Sequence, residues 1–180
     1  KRSDRLIQAV EAEQTGGKAT IGILTGRLDQ PNLVQRVDGF KDAISKYPDM
    51  QVVDMQPDDS DLQIAIQKTE AMLLTNPDID AFFGSEGFGA PALCKVVKEA
   101  GKSGEIAIVG FDDLDESIDC IREGVVNGVI VQKQYVMGYM AADSLMKILA
   151  GETVPAITDT GVVVASKDNV DTYKEETLKV

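Results

Sequence analysis

The sequence predicts an α/β fold, a doubly wound parallel sheet with helices on both faces. Two observations carry this. From Ala19 onward short apolar runs alternate with longer amphipathic segments, and turn residues mark the junctions. The run Ile106-Ala107-Ile108-Val109 then ends at Gly110-Phe111 and is followed at once by two carboxylates, Asp112 and Asp113. In open α/β sheets the rim just past the carboxyl ends of the strands is where ligands bind, so acids placed there are candidate site residues.

Strands are expected over 20–24, 51–55, 81–84, 106–111, 128–131 and 161–164, and helices over 31–47, 61–74, 90–100, 115–123 and 135–149. The first of these helices rests on Leu33, Val37, Phe40, Ile44 and Tyr47, whose three- and four-residue spacing makes one buried face. Pro31 suits its first position, where a missing N–H costs nothing. Ser60-Asp61-Leu62-Gln63 has the pattern of a capping box, serine hydroxyl and glutamine amide each satisfying the other's orphan backbone donor. Asn76-Pro77-Asp78 ends that helix, because the residue before a proline is pushed out of the α region. The opening stretch 2–13 carries Leu6, Ile7, Ala9 and Val10 and breaks at Gly16-Gly17. It is expected to be a helix, and a βα chain that starts on a helix is expected to have had a strand before it.

Composition narrows the function. With 43% hydrophobic and 27% charged residues, 180 residues fit one globular domain, or one domain plus a piece of another. Thirty acids against 18 bases give a net charge of −12, which repels phosphate backbones and anionic membranes and argues against binding either. No apolar run reaches membrane-spanning length. No signal-like stretch follows Lys1, which decides nothing about localisation. Histidine is absent, and with it the commonest general base and metal ligand. Cys94 and Cys120 stand among apolar neighbours at no metal-like spacing. They are expected to be packed as small hydrophobes, a disulfide being the alternative.

Five groups of polar residues fall at strand ends. Thr25-Gly26-Arg27 follows the first strand, with Arg36 further along the next helix. A cation near a helix N-terminus opposes the macrodipole by some tenths of a kcal/mol, so Arg36 is expected either to pair with a carboxylate such as Asp112 or to receive ligand oxygens, the second being favoured. Gln56-Pro57-Asp58-Asp59-Ser60 reads as an acidic helix start. Gly84-Ser85-Glu86-Gly87-Phe88-Gly89 is a glycine-rich entry to a helix that fits neither the dinucleotide fingerprint nor a phosphate loop. Asp112 can accept from two adjacent hydroxyls, while Asp113 fits a helix N-cap. Gln132 can both donate and accept, as a partner of hydroxyls must.

Taken in order, Gly39-Phe40 after Arg36, Asn76-Pro77-Asp78-Ile79-Asp80-Ala81-Phe82-Phe83, Val109-Gly110-Phe111-Asp112, the strand ending in Gln132, and Met137-Gly138-Tyr139 leading to Leu149-Ala150-Gly151-Glu152 form one pattern. It resembles the type I periplasmic sugar-binding proteins, the ribose- and galactose-binding group that delivers ligand to ABC importers, from about Arg2 through Tyr173. Such proteins close two lobes, joined by three crossovers, on a ligand between them. The resemblance implies that residues 1–127 are the carboxyl-terminal ligand-binding lobe, 128–153 a crossover returning to an amino-terminal lobe mostly missing here, and 154–180 the last crossover back. It assigns Arg36 to sugar hydroxyls or the ring oxygen, Asp112 to a pair of hydroxyls, and Gln132 to a hydroxyl beside the hinge. Ser85 and Glu86 stand where family members commonly have an asparagine-aspartate pair, and Ser60 near where an aromatic is often found.

The resemblance carries further expectations. The protein would be extracytoplasmic, in the periplasm or as a membrane-anchored lipoprotein. Its partners would be a sugar-like ligand, a transporter permease and the missing lobe, with neither cofactor nor catalysis. The 135–149 helix would present Val136, Tyr139, Met140, Leu145 and Ile148 without their usual cover and pack elsewhere, on another copy of the chain for instance. Two alternatives are carried: the effector domain of a LacI-type transcription regulator, which shares the fold and often Gly-Phe-Asp-Asp, and a magnesium-dependent enzyme using Asp112 and Asp113. The second is poor, because the chain offers neither a histidine nor a plausible activated nucleophile, and the first strand ends without an acid.

Overall fold

The first apolar run forms strand β1 (Lys18–Thr25), buried continuously from Ile21 to Thr25. Such a run, apolar on both faces, belongs at the centre of a sheet covered on both sides. In this computed structural model residues 18–180 are described, so the helix expected over 2–13 lies outside the described residues. The chain continues as α1 (Pro31–Ile44), β2 (Asp49–Pro57), α2 (Leu62–Thr75), β3 (Ala81–Gly84), α3 (Gly89–Glu99), β4 (Ala107–Phe111), α4 (Asp115–Arg122), β5 (Gly128–Gln132), α5 (Gln134–Leu149), β6 (Val162–Ser166) and α6 (Tyr173–Thr177).

The six strands lie in the order β2-β1-β3-β4-β5-β6. β1 through β5 are parallel; β6 runs antiparallel to β5, with Gln132 opposite Val162, so the sheet is not wholly parallel as expected. Residues 128–132 are hydrogen-bonded into this sheet, and the part of 128–153 that stands away from it is α5 together with the few residues after its end. On one face α1 packs Val37, Ala43 and Ile44 against Ile21, Ile23, Phe83 and Val109. The other face is covered by α2, α3 and α4 through Ile66, Met72, Leu93, Val97, Ile118 and Ile121. Helices on both faces are what the βα alternation demands.

Several element ends differ from expectation for local reasons. The cap of α2 is Asp61, whose carboxylate accepts from the N–H groups of Gln63 and Ile64. Ser60 is outside the helix at φ 54° and makes no capping box. Asp113 does not cap α4, which starts after Leu114; its carboxylate accepts instead from the hydroxyl of buried Tyr173, at 2.9 Å. That bond ties α6, an element not foreseen, to the end of β4. Helix α1 stops at Ile44, three residues short, yet Tyr47 still packs on the same cluster.

The helix α5 has one buried residue, Val136, whereas Tyr139, Leu145 and Ile148 of the expected apolar face are each more than half exposed. Cys94 on α3 and Cys120 on α4 are joined as a disulfide, Cα atoms 6.3 Å apart, and not packed as separate thiols. Helices α3 and α4 flank β4 on one face, which brings the two side chains into reach across a separation of 26 residues. By chain entropy a loop of that length stabilises the fold by about 3 kcal/mol. Replacing both cysteines by serine is therefore expected to lower unfolding free energy by about that amount, read from denaturant titrations of the two proteins, and equal midpoints would contradict it.

Candidate functional site

The strand order reverses direction of winding between β1 and β3, and the crevice there opens at the carboxyl ends of the strands. The end of β1 holds both neighbours. The Leu24 carbonyl accepts from Ser85 N–H, the Thr25 carbonyl from Asp58 N–H and the Gly26 carbonyl from Asp59 N–H, all at 2.8–2.9 Å. The hydroxyl of Ser85 donates to Thr25 Oγ1 at 2.7 Å, and both side chains are buried. Ser85 is thus turned into the protein, and what it offers the rim is its carbonyl.

That carbonyl fixes Arg36. The guanidinium donates through Nη1 to Ser85 O at 2.9 Å and lies over the ring of Phe111, 4.2 Å from its centroid. Phe111 meets Phe83 edge to face, and Phe83 stacks on Phe40 at 4.3 Å, so a ladder of rings supports the charge from below. Of the two expectations for Arg36, direct pairing with Asp112 is not what occurs. Burial pulls the guanidinium pKa down, and the nearby carboxylates of Asp112 and Glu86 oppose that. An arginine still keeps its proton, and its free donors remain in a fixed planar fork.

Asp112 is held from the other side. Its backbone sits at φ 61°, in the left-handed region that aspartate tolerates better than most residues, and its N–H donates to Ile130 O. Gln132 Nε2 donates to Asp112 Oδ1 at 2.9 Å. The Oδ2 atom lies beside Gly87, 3.7 Å from where a Cβ would stand, leaving the carboxylate acceptor capacity to spare. Leu114, also next to Gly87, and Phe88 are partly exposed and give this side an apolar edge. Arg36, Asp112 and Gln132 therefore come to one rim, half-buried, through α1, the end of β4 and the end of β5.

Ser60 and Glu86 meet at Gly26. A Cβ on Gly26 would stand 2.7 Å from Ser60 Oγ, 2.9 Å from Leu33 Cδ1 and 3.5 Å from Glu86 Cγ, so an added side chain would make Ser60 and Leu33 shift where the loops after β2 and β3 approach. Ser60 is exposed, on a turn in which both Asp59 and Ser60 have φ 54°. Glu86 retains 9% exposure, and its Oε1 accepts from Phe88 N–H at 3.0 Å. Burial first, and then Asp112, raise its pKa, while the Phe88 amide and Arg36 lower it.

The residue missed by sequence reasoning is Asp58. It belongs to no solvated helix start: it is 0% exposed, its Oδ1 accepts from Ser60 N–H, and its Oδ2 has no hydrogen-bond donor. Burial and the adjacent Glu86 push its pKa up to about 7. The three consecutive polar residues Asp58-Asp59-Ser60 hid it; the signal available was Pro57, which ends the edge strand β2 and starts the turn that carries Asp58.

An unfolded aspartate has lost its proton by about pH 4, whereas Asp58 holds its own to about 7. Between those values the folded state binds the extra proton, so this group's contribution to stability falls as pH rises through the window and levels above it. Asp58→Asn is expected to remove a slope of up to about 1.4 kcal/mol per pH unit and to raise stability at pH 8. Denaturant unfolding at pH 5, 6.5 and 8 checks this, and a slope equal to the parent's would contradict it.

Among the described residues no helix is long and apolar enough to cross a membrane, and no group of three or more acids and cysteines is placed to hold a metal. Comparison with known proteins agrees with the fold. The chain is 30% identical over 145 residues to the ribose import binding protein of Haemophilus influenzae, covering 81% of this chain and 49% of that one. It is 30% identical over 172 residues to a xylitol-binding protein of Mycolicibacterium smegmatis, covering 93% and 48%. It therefore spans about half the length of the curated relatives it matches. Among solved structures it superimposes on a glucose-galactose binding protein from Geobacillus stearothermophilus with a TM-score of 0.88 at 32% identity, over 94% of this chain and 61% of that one. An ABC transporter solute binding protein from Burkholderia graminis, in complex with D-arabinose, gives 0.88 at 31%, over 95% and 60%. Residues 8–153 match the periplasmic binding protein domain, and the chain belongs to that family.

Proposed function

We propose that this chain is the carboxyl-terminal lobe of an extracytoplasmic receptor that captures a sugar or similar polyhydroxylated molecule for an ABC importer. The observation that carries this is the pairing on one rim of a planar donor and a locked acceptor. Arg36 is held flat by Ser85 O and Phe111, and Asp112 is held by Gln132, along the carboxyl ends of the strands. Adjacent hydroxyls donate to Asp112, ring and hydroxyl oxygens accept from Arg36, and Gln132 serves either kind of group. Ser60 and Glu86 border the same cleft, while Ser85 acts through its carbonyl.

The second wall of the site would come from an amino-terminal lobe. A charge-assisted hydrogen bond contributes about 1.5–3 kcal/mol, and micromolar affinity needs about 8 kcal/mol, so the three groups here act together with that wall. The exposed apolar face of α5, with Tyr139, Leu145 and Ile148, fits such a cover. The Cys94–Cys120 disulfide supports a location in an oxidising compartment. We place the protein outside the cytoplasm, free in the periplasm or tethered as a lipoprotein, with a permease as partner.

Calorimetric titration of the full-length protein against pentoses, hexoses and alditols tests this. One ligand is expected to bind at micromolar affinity or better, and Asp112→Ala to weaken it by about 100-fold, roughly 2.7 kcal/mol. Absence of binding across the panel, or an Asp112→Ala protein that binds as the parent does, would overturn the proposal.

A further inference from the structure

Around Arg36 the rim holds more negative charge than that guanidinium answers. Asp112 and Glu86 both act on Arg36, and the loop that carries Asp58 meets Glu86 at Gly26, where the charge and side chain of Glu86 raise the Asp58 pKa. Two carboxyl groups that meet out of water cannot both stay ionised, because each anion loses its hydration and gains a like charge. A proton between them removes both costs at once. Asp58 carries the marks of such a proton: it is fully buried, its Oδ1 is taken by Ser60 N–H, and its Oδ2 lacks any donor. An orphaned carboxylate oxygen at 0% exposure is costly, whereas a protonated one becomes a donor that a neighbouring carboxylate can satisfy.

Resting on the function proposed above, we propose that Asp58 and Glu86 form a proton-sharing pair at the border of the cleft, and that this pair selects an uncharged polyhydroxylated ligand, whose capture holds the proton in place. The charged groups acting on the pair are Asp59 on the loop of Asp58, Asp112 at the end of β4, and Arg36 on α1, which alone favours ionised Glu86. With both members ionised the cleft would carry three anions against Arg36 and would favour an ammonium ligand. With the proton retained, two anions face one cation, and the pull on an ammonium group is reduced.

The pH dependence has a definite sign. Glu86 keeps a 9% opening to solvent, and a ligand or lobe seated on the rim closes it. Removing that water makes a second charge on the pair costlier still, so the bound state holds the proton to higher pH than the free state. Affinity is then greatest below neutrality, falls as pH rises past the free pair's upper titration near 7, and levels beyond the bound one. Each unit of difference between the two is worth tenfold in affinity.

Two measurements on the full-length protein test this. In the ligand-free protein, carbon-13 shifts of the Asp58 and Glu86 carboxyl carbons are followed from pH 4 to 9. A late step near neutrality felt by both carbons is expected; both groups fully titrated below pH 5.5 would overturn the pair whatever the ligand. Thermal shifts are then recorded at pH 6 and 8.5 with D-ribose, D-arabinose, D-galactose and xylitol, and with D-glucosamine and D-galactosamine. A neutral probe is expected to bind more tightly at pH 6, by up to about tenfold, with Asp58→Asn binding it equally at both values. Preference for an amino sugar, or no pH dependence in the parent, would overturn the selection. No shift with any probe would overturn the receptor function and the selection together, and the carbon-13 result would still decide the pair.

Discussion

Everything at the rim depends on how the end of β1 is shared. A central parallel strand whose neighbours diverge has carbonyls with two possible clients, and here Leu24 serves the loop after β3 while Thr25 and Gly26 serve the loop after β2. The buried Ser85–Thr25 hydrogen bond closes the same seam with side chains. Because those bonds fix the backbone of Ser85, its carbonyl is available to fix Arg36, and because Gly26 has no side chain, Ser60 and Glu86 can close over it. One strand end thus sets the positions of groups contributed by three elements.

Electrostatics at the rim is arranged by depth. Arg36 is half-buried and rests on an aromatic face, which offers it electron density without a competing charge. Asp112 is half-buried too and neutral Gln132 holds it, so neither ion is consumed by the other. The deepest group, Asp58, is the one for which ionisation is hardest. The charges at the opening stay near water, and the buried carboxyl group that lacks a compensating donor is the one whose ionisation is resisted.

Much of the architecture was legible because each strand is a short apolar run bounded by turn residues, and 81–84 came out at its expected ends. Arg36, Asp112 and Gln132 were legible for a related reason: position after a strand is itself positional information in this fold. What escaped were features decided by tertiary partners. Antiparallel β6 has the same apolar pattern as a parallel strand, and only its pairing with β5 reveals direction. Whether Cys94 and Cys120 meet depends on how α3 and α4 lie side by side. Ser60 and Asp61 both satisfy the capping rule, and the left-handed turn through Asp59 and Ser60 gives the role to Asp61. Asp113 looked like a cap because its true partner, Tyr173, is sixty residues away in a helix with no strong sequence signature.

The antiparallel β6 has a mechanical consequence. Since Gln132 stands opposite Val162, the chain leaves the sheet and re-enters it at the same spot, as two strands side by side. β5 is paired with β4 only as far as Ile130, so Val131 and Gln132 are held by β6 alone, past the end of β4. Anything carried by the segment between these strands joins the sheet through this one place, and Gln132 stands there, one hydrogen bond from Asp112. The side chain that holds Asp112 therefore also belongs to the last residue of the outgoing strand, so any shift of that carboxylate is felt first where the chain leaves the sheet.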